Sequence, residues 1–283
     1  MRIRSGEGTV AVAVALVLFA GVALDTWGPK VSTGATAAGD DAAFAARAVF
    51  CPPDLGQPYG KTRQSSAANI PSRVSLTATA RDEGVTVGIE PGSDERDDLA
   101  PGRLLEHHPT EAGATDVVGY GGTIDATAVT SIDERKVSGV GAAACSPRAS
   151  TKWFFPEGNS TVTHDERLLI YNPFPDEAVV RVSLLTPAGD RSKAGLSDVA
   201  VPSESSITVA INDFLLEQKV LGAVVTTVRG RVVAWRLSIA QPDEKPSGVQ
   251  FTLGATGTAA AWHFPEGAIG EGIDERISIM NPG

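Results

Sequence analysis

Apolar and polar residues alternate with a period of two over most of the chain, the pattern of strands with one face buried. Val180, Val182 and Leu184 alternate with Val179, Arg181 and Ser183. Ile207, Val209 and Ile211 alternate with Ser206, Thr208 and Ala210. Val233, Trp235, Leu237 and Ile239 alternate with Val232, Ala234, Arg236 and Ser238, and Val249, Phe251 and Leu253 with Gln250 and Thr252. Turn residues separate these runs: Asn172-Pro173, Pro187-Ala188-Gly189-Asp190, Pro202-Ser203, Arg229-Gly230-Arg231 and Pro242-Asp243. Earlier in the chain, Arg73 to Ala80, Val85 to Ile89, Val117 to Val129 and Val137 to Ala144 carry the same signal. Asp82-Glu83-Gly84 reads as a hairpin turn between the first two of these. The glycines of the later two point to bulges or close backbone approach. Asn212 to Lys219 breaks the alternation and reads as one or two helical turns.

Two stretches repeat. Trp153 to Phe174 (WFFPEGNSTVTHDERLLIYNPF) aligns without a gap to Trp262 to Gly283 (WHFPEGAIGEGIDERISIMNPG). The identical pairs are Trp153/Trp262, Phe155/Phe264, Pro156/Pro265, Glu157/Glu266, Gly158/Gly267, Asp165/Asp274, Glu166/Glu275, Arg167/Arg276, Ile170/Ile279, Asn172/Asn281 and Pro173/Pro282. A strand-rich unit of roughly 110 residues is therefore duplicated in tandem. About seven strands in about 100 residues suits an immunoglobulin-like sandwich. The expected fold class is all-β, with tandem sandwich modules following one N-terminal signal or membrane helix.

The expected organisation has five parts. Residues 1–29 form a signal peptide or anchor helix, and 30–50 form a flexible tether rich in Ala, Gly, Ser and Thr. A short helix around Ala42 to Ala48 falls at the end of that tether. Residues 51–148 form a first β-rich domain, 150–256 the complete module, and 257–283 the start of a second copy, cut short. The N-terminal assignment rests on Arg2 and Arg4 followed by the uncharged run Thr9 to Leu24. That run falls between the apolar core of a signal peptide and a full membrane span. Both outcomes place the body outside the cytoplasm, anchored with the N-terminus inside or secreted.

Composition narrows the function classes. The formal net charge is −10, a field that repels nucleic-acid backbones, so no nucleic-acid partner is expected. The two cysteines, Cys51 and Cys145, would meet an oxidising compartment, and one pair permits one bridge. Closing a loop of about 95 residues adds about 4–5 kcal/mol in the chain-entropy model.

The order Gly139–Cys145 (GVGAAAC), Trp153–Gly158 (WFFPEG) and Leu168–Pro173 (LLIYNP), followed by an Ala-Val-Val-Arg-Val strand, resembles an uncharacterised family of actinobacterial exported proteins. The resemblance implies an N-terminal membrane segment, a cysteine-bounded first region and sandwich modules. It implies no chemistry, because the family has no established activity.

Catalysis requires a nucleophile, base or metal held by oriented partners, and the sequence offers little of that kind. No nucleophile elbow, zinc-binding helix, P-loop or dinucleotide fingerprint is present. His107 and His108, beside Glu106 and Glu111, are the strongest metal candidate, but strand neighbours point to opposite faces. His164 and His263 occur in one copy each. Asp94 to Asp98 reads as a solvated loop, and Asn159-Ser160-Thr161 as a glycosylation sequon. The repeated acids Glu157, Asp165, Glu166, Glu266, Asp274 and Glu275 could serve a cation or general acid chemistry. The adjacent Arg167 and Arg276 favour an ion-paired corner instead. No catalytic, cofactor or metal site is expected. The expected role is non-enzymatic, a structural or interaction protein of the cell envelope whose partners are the membrane and a wall glycan or another envelope protein. A carbohydrate-binding module, or the appendage of a larger envelope hydrolase, is the alternative. Exposure of Trp153, Trp235 and Trp262 discriminates the first two readings.

Overall fold

The computed structural model describes residues 46–53, 57–58, 72–90, 96–109, 113–134, 137–242, 244, 247–264, 267, 270 and 275–282. The expected N-terminal helix lies outside them, as does most of the tether. Among the described residues no helix is long and apolar enough to cross a membrane.

The architecture is all-β and built from four antiparallel sheets, with one parallel pairing. The strands of the first half are β1 (Ala46–Cys51), β2 (Gln57–Pro58), β3 (Ser72–Ala80), β4 (Val85–Glu90), β5 (Arg96–Leu99), β6 (Leu105–His107), β7 (Thr115–Tyr120), β8 (Ile124–Glu134) and β9 (Val137–Ala144). Those of the second half are β10 (Lys152–Phe155), β11 (His164–Asn172), β12 (Ala178–Thr186), β13 (Gly189–Asp190), β14 (Val199–Val201), β15 (Ser205–Ala210), β16 (Gly222–Arg229), β17 (Val233–Ala240) and β18 (Gly248–Leu253).

The first half forms the sheets β1-β7-β4-β5 and β6-β3-β8-β9. The second half forms β10-β16-β12-β13, with β14 also on β12, and β18-β17-β11-β15. Taken in chain order, the two halves have the same pairing scheme: β1/β10 on β7/β16, β3/β11 between β6/β15 and β8/β17, β9/β18 at an edge. The first half is thus a further example of the arrangement seen in the second, although the sequence repeat covers only the later part. Its first strand pairs with a late strand rather than its successor, so the order differs from the ABED and CFG sheets of an immunoglobulin domain.

Burial follows the alternation. In β12 the buried residues are Ala178, Val180, Val182 and Leu184, while Arg181 is exposed. The larger core packs Trp153, Phe155, Val182, Leu184 and Val225 of one sheet against Leu168, Ile170, Val209, Trp235 and Leu237 of the other. The smaller core, between the first two sheets, holds Ala78, Ala80, Ala126 and Ala128 with Val85, Val87, Leu99 and Ile124. Alanine buries little apolar area, so this half has less hydrophobic stabilisation to draw on. Cys51 and Cys145 lie in the same core and are disulfide-bonded. The bond ties the end of β1 to the residue after β9.

Several local expectations change. Asp82-Glu83-Gly84 does not close a hairpin: β3 and β4 belong to different sheets, so the turn carries the chain from one layer to the other. Periodicity reports which face of a strand is buried but not which strand lies beside it. Val117 to Val129 divides into β7 and β8 at Gly121, where φ is +86°. Ala46 to Phe50 is strand rather than helix or tether, hydrogen-bonded to β7. Arg96 to Asp98 belongs to edge strand β5 rather than to a loop. An edge strand is paired on one side only, and its exposed charges tolerate that position and discourage further pairing. The helical turn expected after β15 is a single 3-10 turn, Ile211–Asp213.

The two halves meet along β9 and β18. A Cβ added at Gly139 would lie 3.0 Å from the Val249 amide nitrogen, and one at Gly141 would lie 3.2 Å from that of Phe251. The glycines of β9 therefore permit close backbone approach rather than bulges. The Trp235 indole donates to the Ala144 carbonyl at 3.1 Å. Phe50 packs edge-on to Tyr171, and β2 runs parallel to β15 at Ile207 and Thr208.

Candidate functional site

The repeated residues of the complete module converge at one end of β11. Trp153 and Phe155 alternate inward from β10, and the Trp153 indole donates to the Val232 carbonyl at 2.8 Å. Glu157 and Gly158 follow as the chain leaves the sheet. A Cβ at Gly158 would sit 2.8 Å from the Leu221 carbonyl oxygen and 2.9 Å from Glu166 Oε1. Only glycine fits there, because backbone and a buried carboxylate approach from two sides.

Glu166 and Arg236 are both buried and face each other, with Nε 3.6 Å from Oε1. Arg236 donates to the Glu157 main-chain carbonyl and to Gln250 Oε1 at 2.9 Å, while the Glu157 carboxylate stands 3.6 Å away. Glu166 is pushed up to about 7, chiefly by desolvation; Arg236 and hydrogen bonds from Ser238 and the Asn159 backbone pull the other way. Its Oε2 is buried without a hydrogen-bond partner. Beside this group, Arg167 grips Asp165 with both edges of its guanidinium, at 2.6 and 3.1 Å. Asn212 accepts from the Glu166 amide at 2.9 Å and donates to the His164 carbonyl at 2.8 Å, so the 3-10 turn holds the start of β11.

Asn172 secures the other end of β11. Fully buried, its side-chain amide donates to the carbonyls of Asp176, Val201 and Pro202 at 2.7–3.2 Å. Its oxygen accepts from the Phe174 amide at 3.1 Å. The Asn-Pro pair is thereby a clamp that turns the chain into the second layer.

These contacts assign the repeated acids of the complete module to a polar corner. Each charge is met by another charge, a carbonyl or an amide, as burial demands. In the second copy, Pro265, Glu266 and Asp274 lie outside the described residues. The Glu275 carboxylate lies 3.0 Å from where a Cβ on Gly267 would stand, reproducing the Glu166–Gly158 contact.

The other candidates stay apart. His108 and Glu106 form an exposed pair at 3.4 Å, while Glu111 lies outside the described residues. Burial and the neighbouring His108 hold His107 below the usual histidine range. The His164 ring approaches Thr161 and Thr163, and His263 is exposed. The Asn159 side chain accepts from the Thr161 amide and hydroxyl in a local turn. Among the described residues no three His, Cys, Asp or Glu side chains could hold a metal ion. Trp153 and Trp235 are buried, and Trp262 is exposed.

One polar group escaped sequence reading. Asp116 on β7 hydrogen-bonds Tyr171 on β11 and is pushed up to about 7, mainly by desolvation and further by Glu90 and Glu204. Burial and Asp116 also push the Tyr171 phenol up. The pair joins the two halves across 55 residues of sequence, and no motif marks it.

Fold and corner together define an all-β protein of facing antiparallel sheets with a repeated, charge-lined strand corner. The chain belongs to DUF5719, a family of unknown function, which matches residues 114–283. No curated protein matches. Among solved structures the chain is similar to one titled "Crystal Structure of Thermotoga maritima 1070", at 18% identity and a TM-score of 0.33, over 39% of this chain and 99% of that one. A likeness at that score carries no argument.

Proposed function

We propose that this protein is a non-catalytic structural or interaction protein of the cell envelope, displaying tandem β-sandwich modules outside the membrane. The modules are immunoglobulin-like in having two antiparallel layers, though in a different strand order. The observation that carries the reading is the recurrence of one pairing scheme in β1–β9 and β10–β18, with the repeat opening again at Trp262. Reuse of one unit, joined through packed backbone at β9 and β18, suits a stiff spacer that sets surfaces at a distance. The Cys51–Cys145 bond supports an oxidising compartment, and the run Thr9 to Leu24 supports export from an actinobacterial type of cell.

A wall-glycan module is the second reading. The burial of Trp153 and Trp235 removes two of the three aromatics on which sugars would stack, and Trp262 holds a core position by its alignment with Trp153.

The test is cellular. A fusion at the C-terminus should be protease-accessible in intact cells, and a maleimide reagent should label Cys51 and Cys145 only after reduction. Deleting residues 1–29 should leave the protein in the cytosol with both thiols free. Labelling of both cysteines in untreated cells would overturn the envelope assignment.

A further inference from the structure

Four large apolar residues of the second copy face solvent: Trp262 is 58% exposed, Phe264 57%, Ile277 55% and Ile279 84%. Their counterparts in the complete module are Trp153, Phe155, Leu168 and Ile170, which are 0%, 1%, 0% and 0% exposed. The bared residues are therefore the core positions of a sandwich. The polar corner beside them is already formed, since Glu275 closes on Gly267 as Glu166 closes on Gly158. What the second copy lacks is its cover.

The complete module shows what that cover is. Leu168 and Ile170 lie opposite Val209 and Ile207 of β15 on one side, and opposite Arg236 and Ala234 of β17 on the other. Trp153 and Phe155 pair with Val225 and Ala223 of β16, and a main-chain carbonyl takes the indole N–H.

We propose that Trp262 to Pro282 is a docking face for a strand set equivalent to β15, β16 and β17, supplied by the same polypeptide on the C-terminal side of Pro282. Chain order selects that source: in the complete module the cover follows the Asn172-Pro173 clamp, and Asn281-Pro282 repeats that clamp. Two flanking strands with alternating Val and Ile would bracket Ile277 and Ile279. A third would pair with Trp262 to Phe264 and accept the indole hydrogen. This inference rests on the tandem-module reading and adds the identity of the partner.

The test appends residues 174–257 of this chain, which carry β12 to β18, directly after Pro282. Tryptophans are labelled as 5-fluorotryptophan, and the Trp262 resonance is assigned with Trp262→Phe. In the unextended chain that resonance should show a solvent-isotope shift. In the extended chain the shift should disappear, as for Trp153 and Trp235, and a further cooperative melting transition should appear. Ile279→Lys in the extended chain should return Trp262 to solvent without moving the other transitions. A control extension opened by Trp153 to Pro173 in place of Trp262 to Pro282 establishes that the appended strands fold. If the control folds while Trp262 stays solvated, the proposal is overturned. It is overturned as well if Trp262 of the unextended chain is shielded on doubling of the mass in sedimentation, which assigns the face to a second copy, or on adding wall polysaccharide, which assigns it to a glycan. A cytosolic location in the labelling experiment would defeat the envelope reading and leave this result standing.

Discussion

Glu166→Gln isolates the energetic consequence of the buried corner. Glu166 is 97% buried and raised from 4.5 to about 7. Below pH 4.5 the folded and unfolded chains both hold the proton, and the group contributes no pH dependence. Between pH 4.5 and 7 the unfolded chain releases it while the folded chain keeps it, so stability falls as pH rises. Above 7 both states are ionised and the loss is complete. At 1.36 kcal/mol per pH unit, the span corresponds to about 3 kcal/mol. Glutamine has nearly the same shape and no titration. Urea denaturation of wild type and variant at pH 4.5 and pH 7.5 measures the effect. The variant should gain on the wild type by about 3 kcal/mol between those two values, whatever its absolute stability. Because Asp116 titrates identically in both proteins, the difference belongs to Glu166. Parallel pH profiles for the two proteins would refute the account of a desolvated carboxylate.

Three further outcomes are expected. Replacing Cys51 and Cys145 by serine should lower the stability of the alanine-rich first half by about 2–5 kcal/mol, read as an earlier transition in calorimetry while the transition of the second half moves less. Asn172→Ala leaves three main-chain carbonyls without their shared donor and should cost about 2–3 kcal/mol in urea denaturation; Asn172→Asp, which cannot donate, should not restore it. Gly141→Val sets a side chain against the backbone of β18, 3.2 Å from an amide nitrogen, and should separate the two halves, seen as a second calorimetric transition and a larger radius of gyration in solution scattering.

The all-β class, most strand positions and the cysteine pairing were readable from the chain, because period-two alternation and a lone pair of thiols each admit few outcomes. The repeat also named Gly158, Glu166, Arg167 and Asn172 as positions with a shared task. The amino-acid pattern alone did not say what the task was. Arg236, the partner of Glu166, lies 70 positions away on a strand whose alternation looks ordinary, and Asp116 meets Tyr171 only once two sheets are brought together. Nor could alternation distinguish a turn that closes a hairpin from one that crosses between layers, as at Asp82-Glu83-Gly84. The shared pairing scheme of the two halves was hidden for the same reason: pairing is set by contacts between distant strands, and many sequences satisfy it. Local physics, acting through side-chain alternation and turn residues, is written along the chain. The choice of neighbours, and the desolvation that follows from it, exists only after the sheets have packed.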